Sequence, residues 1–355
     1  MKILVIGAGP LGSLFTSRLL AAGHQVALQA RGQRLADLRE YGLVLEDAQT
    51  GVRTHSAVQV VEFLDPEEAY DLVLVILRKN LAAGVLPSLA ENHFTPNVLF
   101  MMNNAAGPEQ FIQRLGKERV LVGFPASAGS RDGHIMRVLA GNEKQVVSIP
   151  FGEVDGCVTD RTHMVAEILS SMPGYRAQIR TDMDAWLKSH VAILIPSIAA
   201  ALYACDIDLQ RMARTRDALV LAVRSAKENF RILQALRIPI TPARFRCFLY
   251  IPEPFLVAFL RKVLVMEAME TAMAAHARAA RDEMQHLTDE FRVLARRSGI
   301  PTPAGDRLYA YISPETPRIP AGSAEIPLDW RSTALGLFGL SLVAAGVVWL
   351  VKRRK

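Results

Sequence analysis

Residues 1–12 read MKILVIGAGPLG, and this stretch decides how the first half of the chain folds. A short apolar run leads into glycines at positions 7, 9 and 12, and helical spacing of apolar residues then continues to about Ala22. The order of strand, GxGxxG and helix predicts a dinucleotide-binding unit. Gly7 permits a tight turn, Gly9 lets the backbone approach a pyrophosphate, and Gly12 lets the helix pack close to the strand. The residues expected to bind the phosphates are Gly7, Ala8, Gly9, Pro10, Leu11 and Gly12.

Further apolar runs, each bounded by turn residues, predict an α/β layer over the first half of the chain. These runs cover residues 24–30, 72–77, 98–102, 120–124 and 145–149. Continuous runs of this kind are typical of parallel strands that are covered by helices on both faces. Beyond about Thr181 the strand pattern stops. Helical periodicity then dominates, over residues 183–204, 209–235, 254–280 and 283–298.

Length and charge limit the classes of protein to consider. The 355 residues are too many for one small core and suit two domains. The net charge is +6, but four of the 41 basic residues are the last four, and the other 37 exceed the 35 acidic ones by only two. A body with so little excess charge is a poor candidate for binding nucleic acid. The three cysteines form no CxxC pair and no HExxH-like spacing occurs, so we expect neither a disulfide scaffold nor a metal site.

The end of the chain predicts a membrane anchor. Residues 332–351 contain no charged side chain over 20 positions, which as a helix matches a bilayer core about 30 Å thick. Trp330 and Trp349 lie near its two ends, where indole rings favour the interface. Four prolines in residues 313–331 predict a semi-rigid linker before it, and residues 352–355 form a basic tail. The alternative is a C-terminal helix buried in a soluble body.

The orientation of this anchor follows from two opposing signals. The apolar run at the N-terminus is too short for a signal peptide, which predicts that the catalytic body stays in the cytoplasm. The four cations of the tail favour the cytoplasmic side for the tail itself, and a segment that crosses once cannot leave both the tail and the body on that side. We favour a cytoplasmic body, because moving a folded domain is harder than moving four residues. Ser341 and Ala345 form one pair of small residues at helical spacing, which allows pairing of two anchors in a homodimer.

The end of the second predicted strand indicates which nicotinamide dinucleotide binds. NAD-binding proteins usually place Asp or Glu there to hold the ribose 2′-hydroxyl. This chain has QARGQR at residues 29–34 and no acid. Arg31, with Arg34 as a second candidate, could neutralise a 2′-phosphate, so we expect NADP(H).

Three polar residues are candidates for the chemistry beyond hydride transfer. Lys188 opens the helical half of the chain and could donate a proton to a carbonyl oxygen. Glu283 begins a later helix and could orient that lysine. Asn103 follows the fourth apolar run, at the strand edge where open α/β sheets bind ligands.

Several motifs then occur in one order along the chain. They are GAGPLG at residues 7–12, Arg31, the strand at residues 71–77, Asn103 within MNN, the turn at residues 131–133, Lys188 within WLK, Thr271, and Glu283 fifteen residues before SGIPTP. With these motifs the chain resembles the ketopantoate reductase (2-dehydropantoate 2-reductase) family over residues 1 to about 312.

The resemblance implies a fold, a reaction and roles for individual residues. The implied fold is a Rossmann-type NADP-binding domain at residues 1–180 and an all-α substrate and catalytic domain at residues 181–312, similar to the C-terminal domain of 6-phosphogluconate dehydrogenase. The implied reaction is NADPH-dependent reduction of a 2-oxo acid or related carbonyl compound. Lys188 and Glu283 would be catalytic, Arg78 and Asn103 would contact the cofactor, and Asn103, Lys188 and Thr271 would contact the substrate.

Departures from the family pattern bear on the substrate. Asparagines are expected four and eight residues after Lys188 and three before Thr271, but this chain has Ala192, Pro196 and Ala268 there. A site without these polar groups loses the corresponding substrate contacts, so pantoate chemistry is doubtful and a larger or more apolar carbonyl compound fits better. In addition, Arg78 replaces a lysine.

Two other interpretations remain open from the sequence. One is a non-catalytic, membrane-anchored sensor or scaffold that binds NADP(H). The other is a dehydrogenase that runs oxidatively, related to 6-phosphogluconate dehydrogenase, although no cluster of basic residues for a sugar phosphate surrounds Lys188.

Overall fold

The computed structural model describes residues 1–330 of the chain. The predicted membrane helix at residues 332–351 and the basic tail at residues 352–355 lie outside the described residues.

Twelve strands occur among residues 1–330, and all of them precede Arg180. They are β1 (Lys2–Ile6), β2 (Gln25–Gln29), β3 (Leu43–Asp47), β4 (Arg53–Ser56), β5 (Gln59–Val61), β6 (Leu72–Val75), β7 (Val98–Met101), β8 (Val120–Gly123), β9 (Ala128–Asp132), β10 (Ile135–Leu139), β11 (Val147–Glu153) and β12 (Tyr175–Ile179). The predicted runs correspond to β1, β2, β6, β7, β8 and β11, whereas β3, β4, β5, β9, β10 and β12 were not predicted.

Thirteen α-helices occur in the same part of the chain. They are α1 (Pro10–Ala21), α2 (Gly32–Tyr41), α3 (Leu86–Glu91), α4 (Glu109–Leu115), α5 (Asp160–Ser170), α6 (Met183–Ile193), α7 (Ala200–Tyr203), α8 (Leu209–Arg214), α9 (Arg216–Ala235), α10 (Glu253–Leu264), α11 (Ala275–Ala279), α12 (Arg281–Ser298) and α13 (Pro303–Ala310). The predicted helix at residues 209–235 is in fact two helices that meet at Thr215, and α13 was not predicted.

The main sheet has eight strands in the order β12-β11-β8-β7-β6-β1-β2-β5. The six strands from β8 to β5 run parallel to one another, and β11 pairs with β8 in the opposite direction. Strands β6, β7 and β8 are buried along their whole length, because helices cover both faces. The strand order reverses between β1 and β6, and the carboxyl edge at such a switch point is where open α/β sheets bind ligands.

A smaller sheet lies against the first helix. Its four strands have the order β4-β3-β10-β9, and β9, β10 and β3 pack on α1. The close fit extends to Gly129 of β9, where a Cβ atom would lie 2.8 Å from Pro10 at the start of α1. This sheet therefore forms one wall beside the glycine loop.

The second domain is all-helical, as predicted, and is built around one long run, Met183–Tyr203. By length and composition this run could cross a membrane, but most of it is buried inside the domain, which is typical of a core helix. Pro196 lies in its π-helical middle and cannot donate to the carbonyl of Ala192. That carbonyl accepts hydrogen bonds from Asn229 Nδ2 (2.9 Å) and Ser197 Oγ (3.0 Å) instead. Side chains thus replace the helical bond that proline removes.

The predicted linker lies along the helical domain in residues 313–330 and contains no helix or strand. Ile319 is buried, and its backbone N–H donates to the carbonyl of Ala204. The Asp217 carboxylate accepts the backbone N–H groups of Glu325 and Ile326. These bonds tie the segment to α7 and to the start of α9, so its course is fixed by the domain up to about Trp330.

Candidate cofactor and active site

The glycine loop has the geometry that the sequence predicts. Gly7 has φ +114°, and a Cβ atom there would lie 2.2 Å from the carbonyl oxygen of Ile76. A Cβ atom at Gly12 would lie 1.7 Å from the carbonyl oxygen of Gly7. At Gly9, by contrast, a Cβ atom would have nothing within 4 Å. Gly7 and Gly12 are required by the protein's own packing, whereas Gly9 leaves an open approach to the start of α1.

A cavity of about 230 Å³ opens in front of this loop. Glycine-loop residues line one side, and the end of β2 and the following residues line the other, with Gln29, Ala30 and Arg31 among them. Three arginines line it, namely Arg31, Arg34 and Arg131, and no acidic residue does. The Gln29 side chain donates to the carbonyl of Glu62, but its buried Oε1 atom has no hydrogen-bond partner. An open cradle, clustered cations and an unpaired amide oxygen together fit a phosphorylated dinucleotide.

Arg34 holds the glycine loop in place. It is buried, and its guanidinium donates to the carbonyl of Ala8 (3.0 Å), to the carbonyl of His134 (3.0 Å) and to Ser13 Oγ (3.2 Å). Burial, with help from the nearby Arg131 charge, lowers the pKa of Arg34 to about 10, so the group stays charged at neutral pH. Arg34 therefore places a fixed positive charge behind the loop.

Arg131 was noted in the sequence only as part of a turn, and the structure brings it to the cavity. It ends the β9 strand beside the cavity, and its Nη2 atom lies 2.7 Å from Asp37 Oδ2. A hydrogen bond from Gln33 and the Arg131 guanidinium lower the pKa of the Asp37 carboxyl. The ionised carboxylate thus orients Arg131, whereas Arg31 extends from an exposed position at the start of α2.

Two cations follow β6, and they take different directions. Arg78 reaches the helical domain, where its guanidinium donates to Asp282 Oδ1 and to the carbonyl of Ala279. Lys79 turns inward, is buried, and has its Nζ atom 3.4 Å from Glu290 Oε1 and 4.8 Å from the ring centre of Phe111. Arg78 therefore bridges the two domains beside the cavity, since the preceding residue, Leu77, is one of those that line it.

Helix α12 holds both loops that follow β6 and β7. Glu283 is 3% exposed; its Oε1 atom accepts the backbone N–H of Lys79, and its Oε2 atom lies 2.9 Å from His276 Nε2. Two helical turns later, Glu290 Oε2 accepts the backbone N–H groups of Ala105 and Ala106. The sequence analysis missed Glu290, although a spacing of seven residues from Glu283 places both carboxylates on one helix face.

Asn103 lies in the loop after β7 that Glu290 holds. Its side chain is buried, and the Oδ1 atom has no hydrogen-bond partner. The next residue, Asn104, closes the turn through bonds to both the N–H and the carbonyl of Gly107. Asn103 is thus a buried polar group at the carboxyl edge of the sheet, and its Oδ1 atom can still accept a hydrogen bond.

Lys188 is buried in α6, with only 6% of its surface exposed. Its ammonium forms an ion pair with Asp184, one helical turn earlier. The structure therefore gives Lys188 a carboxylate partner other than Glu283, whose two oxygens face Lys79 and His276. In this arrangement Glu283 acts as a positioning residue for the loop after β6.

The remaining substrate candidates lie along two helical segments. Thr271 is half-buried in the π-helical segment Glu270–Ala274, which packs against β9 and β10 beside the glycine loop. Ala192 and Pro196 are buried, and Ala268 is exposed. None of these three positions offers a side-chain hydrogen-bonding group.

His190 belongs to an aromatic cluster on another face of α6. It stacks on Trp186 at 5.1 Å between ring centres and contacts Phe124, which follows β8, at 4.4 Å. Burial lowers the pKa of His190 to about 4, so the ring is neutral at physiological pH. A neutral, stacked imidazole is a packing group rather than a proton donor. Within residues 1–330, no group of three or more His, Cys, Asp or Glu side chains is placed to hold a metal ion.

Several known proteins are similar to this chain. A model of the family "Ketopantoate reductase PanE/ApbA" matches residues 3–150. A 2-dehydropantoate 2-reductase of Archaeoglobus fulgidus is 31% identical over 203 residues, which are 56% of this chain and 63% of the relative. Over the matched residues the chain is therefore similar to the ketopantoate reductase family. The chain thus spans somewhat less than two thirds of the Archaeoglobus relative, and the family model lies within the α/β domain.

Other matches extend through the helical domain. A 2-dehydropantoate 2-reductase of Aquifex aeolicus is 20% identical and covers 86% of this chain and 94% of its own length. The solved ternary structure of D-mandelate dehydrogenase with NADH and anilino(oxo)acetate has a TM-score of 0.72 at 14% identity, over 88% of this chain and 97% of that chain. The fold prediction of a Rossmann-type domain followed by a helical domain is therefore confirmed.

Proposed function

We propose that this chain is an NADPH-dependent reductase of a 2-oxo acid or a related carbonyl compound. The observation that carries the proposal is the cavity at the switch point of the sheet, where the open cradle at Gly9 faces Arg31 and Arg131. The relatives named as 2-dehydropantoate 2-reductases support an oxidoreductase. They do not favour the alternative of a non-catalytic, membrane-anchored sensor.

The chain's own residues have separable roles in such a reaction. The bound nicotinamide supplies the hydride. Lys188 donates a proton to the carbonyl oxygen that becomes a hydroxyl, and Asp184 stabilises the ammonium form before the transfer. Asn103 accepts a hydrogen bond through its unpaired Oδ1 atom and so fixes the cofactor or the substrate. Glu290 keeps the loop that carries Asn103 against α12, and Glu283 does the same for the loop after β6.

NADPH is preferred over NADH in this proposal because the cavity end near β2 carries positive charge and no acid. Arg31→Ala should raise the Kd for NADPH by about 10- to 100-fold, the value of a charged hydrogen bond to phosphate, and leave the Kd for NADH unchanged. Quenching of nucleotide fluorescence on binding measures both constants. Arg39→Ala is the matched control, since it removes an exposed arginine from the same helix. Equal losses for both nucleotides would contradict the 2′-phosphate assignment.

The substrate is proposed to carry an apolar side chain. After Lys188, α6 has Ala192 in place of an amide, and the π-helical segment that follows it has Pro196. The Ala192 carbonyl is already bonded to Asn229 and Ser197. A hydroxylated substrate such as ketopantoate would find no side-chain partner at these positions. D-mandelate dehydrogenase, which shares the fold, is solved with an aromatic oxo acid analogue, anilino(oxo)acetate.

The test of the function is a substrate panel that follows NADPH oxidation by absorbance. Aromatic and branched 2-oxo acids without a hydroxyl group should give kcat/KM values at least about tenfold above that of ketopantoate, the minimum expected when several hydrogen bonds are missing. The full chain in detergent or vesicles is the protein to use. Efficient reduction of ketopantoate, with no turnover of apolar oxo acids, would contradict the proposed substrate class. No oxidation with any carbonyl compound would contradict the reductase itself.

We also propose that the reductase is held at a membrane by residues 332–351, with its body in the cytoplasm. The support for the membrane segment is the run of 20 uncharged residues, and a cytoplasmic body requires only the four-residue basic tail to cross the bilayer.

A further inference from the structure

One outer face of the helical domain exposes a row of large apolar side chains. On α10, Phe255 and Phe259 are 60% and 64% exposed and lie one helical turn apart. Tyr250, just before the helix, is 76% exposed, and Met266, just after it, is 57% exposed. We call these four residues the aromatic face. The opposite side of α10 is buried against α8 and α9, so the aromatic face is directed outward.

The described part of the chain ends beside this face. The backbone N–H of Asp329 donates to Glu253 Oε1 (2.9 Å) at the first residue of α10. Arg224 donates to the carbonyl of Pro327 and also pairs with Glu253, which fixes the same corner. Trp330 is 57% exposed and follows directly on the residue that contacts the start of α10. The apolar segment begins two residues after it in the sequence.

The chain that carries Tyr250, Phe255 and Phe259 exposes basic charge. Met266, at the far end of the face, instead lines a cavity together with acidic residues, namely Asp206, Asp208, Glu267 and Glu270. Four cations are exposed between residues 243 and 266, namely Arg244, Arg246, Arg261 and Lys262. The one acid in that range, Glu253, is buried and paired with Arg224. Exposed aromatic rings among lysines and arginines are typical of surfaces that lie in the headgroup region of a membrane.

We infer that the aromatic face of α10 lies in the interface of the membrane that takes up residues 332–351, and that it docks the reductase against anionic lipids. This inference rests on the proposed anchor. The apolar segment itself is a poor cover for the face, because α10 is about 18 Å long and the segment about 30 Å as a helix. Docking would hold the body close to the bilayer, within reach of carbonyl compounds dissolved in it.

The experiment labels single cysteines on the full chain in vesicles of phosphatidylcholine and phosphatidylglycerol. Cys157→Ser and Cys247→Ser remove the two exposed thiols, and burial keeps the Cys205 thiol unreactive. Phe259→Cys then carries a nitrobenzoxadiazole label on the aromatic face, and Phe63→Cys, at a residue 68% exposed in the α/β domain, is the matched control. A third variant, Ser341→Cys, reports on the anchor.

Quenching by a nitroxide carried high on the lipid acyl chain decides the outcome. The label at position 259 should be quenched at least about threefold more than the label at position 63, as expected for a face about 5–10 Å deep. Equal quenching at 259 and 63, with strong quenching at 341, would overturn the docking surface and leave the anchor standing. No quenching at 341 would remove the anchor, and the inference with it. Blue-shifted emission at 259 without lipid quenching would mean that the segment or a second copy covers the face, which also overturns the inference.

Discussion

Lys188→Met is expected to lower kcat by about 10²- to 10⁴-fold, the usual contribution of a positioned general acid, while the Kd for NADPH stays unchanged. The methionine keeps most of the volume of the buried side chain and removes only the ammonium, so the helix should retain its packing. The substitution leaves the Asp184 carboxylate without its ion-pair partner. This should cost little folding stability, because the Asp184 side chain is 38% exposed and solvent can hydrate it. The substitution should therefore slow the proton transfer and leave nucleotide binding and folding unchanged.

Steady-state rates with the best substrate of the panel and nucleotide binding by fluorescence measure the two quantities separately. Lys144→Met is the matched control, because it removes an exposed lysine from the loop between β10 and β11. Its kcat should equal that of the unchanged chain. Asp184→Asn should have a smaller effect than Lys188→Met, since it weakens the partner of the ammonium and keeps the proton donor. A Lys188→Met protein within about tenfold of normal activity would show that another group donates the proton.

The parts of the fold that could be predicted are those whose signal is local. Strands β1, β6, β7 and β8 are buried on both faces, so each of them is a continuous apolar run in the sequence. The glycine positions were predictable for the same reason, since tight turns and close backbone approach act within a few residues.

The parts that could not be predicted lack a local signal. Strand β4 has the sequence RTHS and is mostly exposed at a sheet edge, so it carries no apolar pattern. The prediction of one continuous helix over residues 254–280 was wrong, because the break at residues 265–267 contains no proline or glycine to mark it.

Within the site, partners that are distant in sequence were the difficult part. Arg34 was expected at the phosphate or at the surface, but its bond to the carbonyl of His134 spans 100 residues. Glu290 meets the loop after β7 from 185 residues away. The first pair follows from the tertiary fold of the α/β domain and the second from how the two domains meet, and no spacing along the chain encodes either of them. The roles of Lys188 and Asn103 stay predictions, although both side chains are buried.

Two alanine substitutions in the glycine loop should separate folding from nucleotide binding. Gly12→Ala should lower the free energy of unfolding by about 1–3 kcal/mol or more, because its Cβ would lie 1.7 Å from the carbonyl oxygen of Gly7 and the backbone must shift. Gly9→Ala should leave the stability unchanged or raise it by about 0.4–1 kcal/mol, since Gly9 has φ −74° and an open space beside it. Thermal unfolding without nucleotide measures both effects.

The same Gly9→Ala protein should bind NADPH about 100-fold more weakly, because the methyl group occupies the approach to the N–H groups at the start of α1 and so removes charged hydrogen bonds to the pyrophosphate. Stability and binding would then change independently at Gly9 and together at Gly12. The matched control is Gly51→Ser, a glycine with φ +69° on a surface turn away from the cavity, which should lose some stability and no affinity. If Gly9→Ala bound NADPH normally, the open space at Gly9 would not be the pyrophosphate site, and the cavity lined by Arg31 and Arg131 would need another ligand.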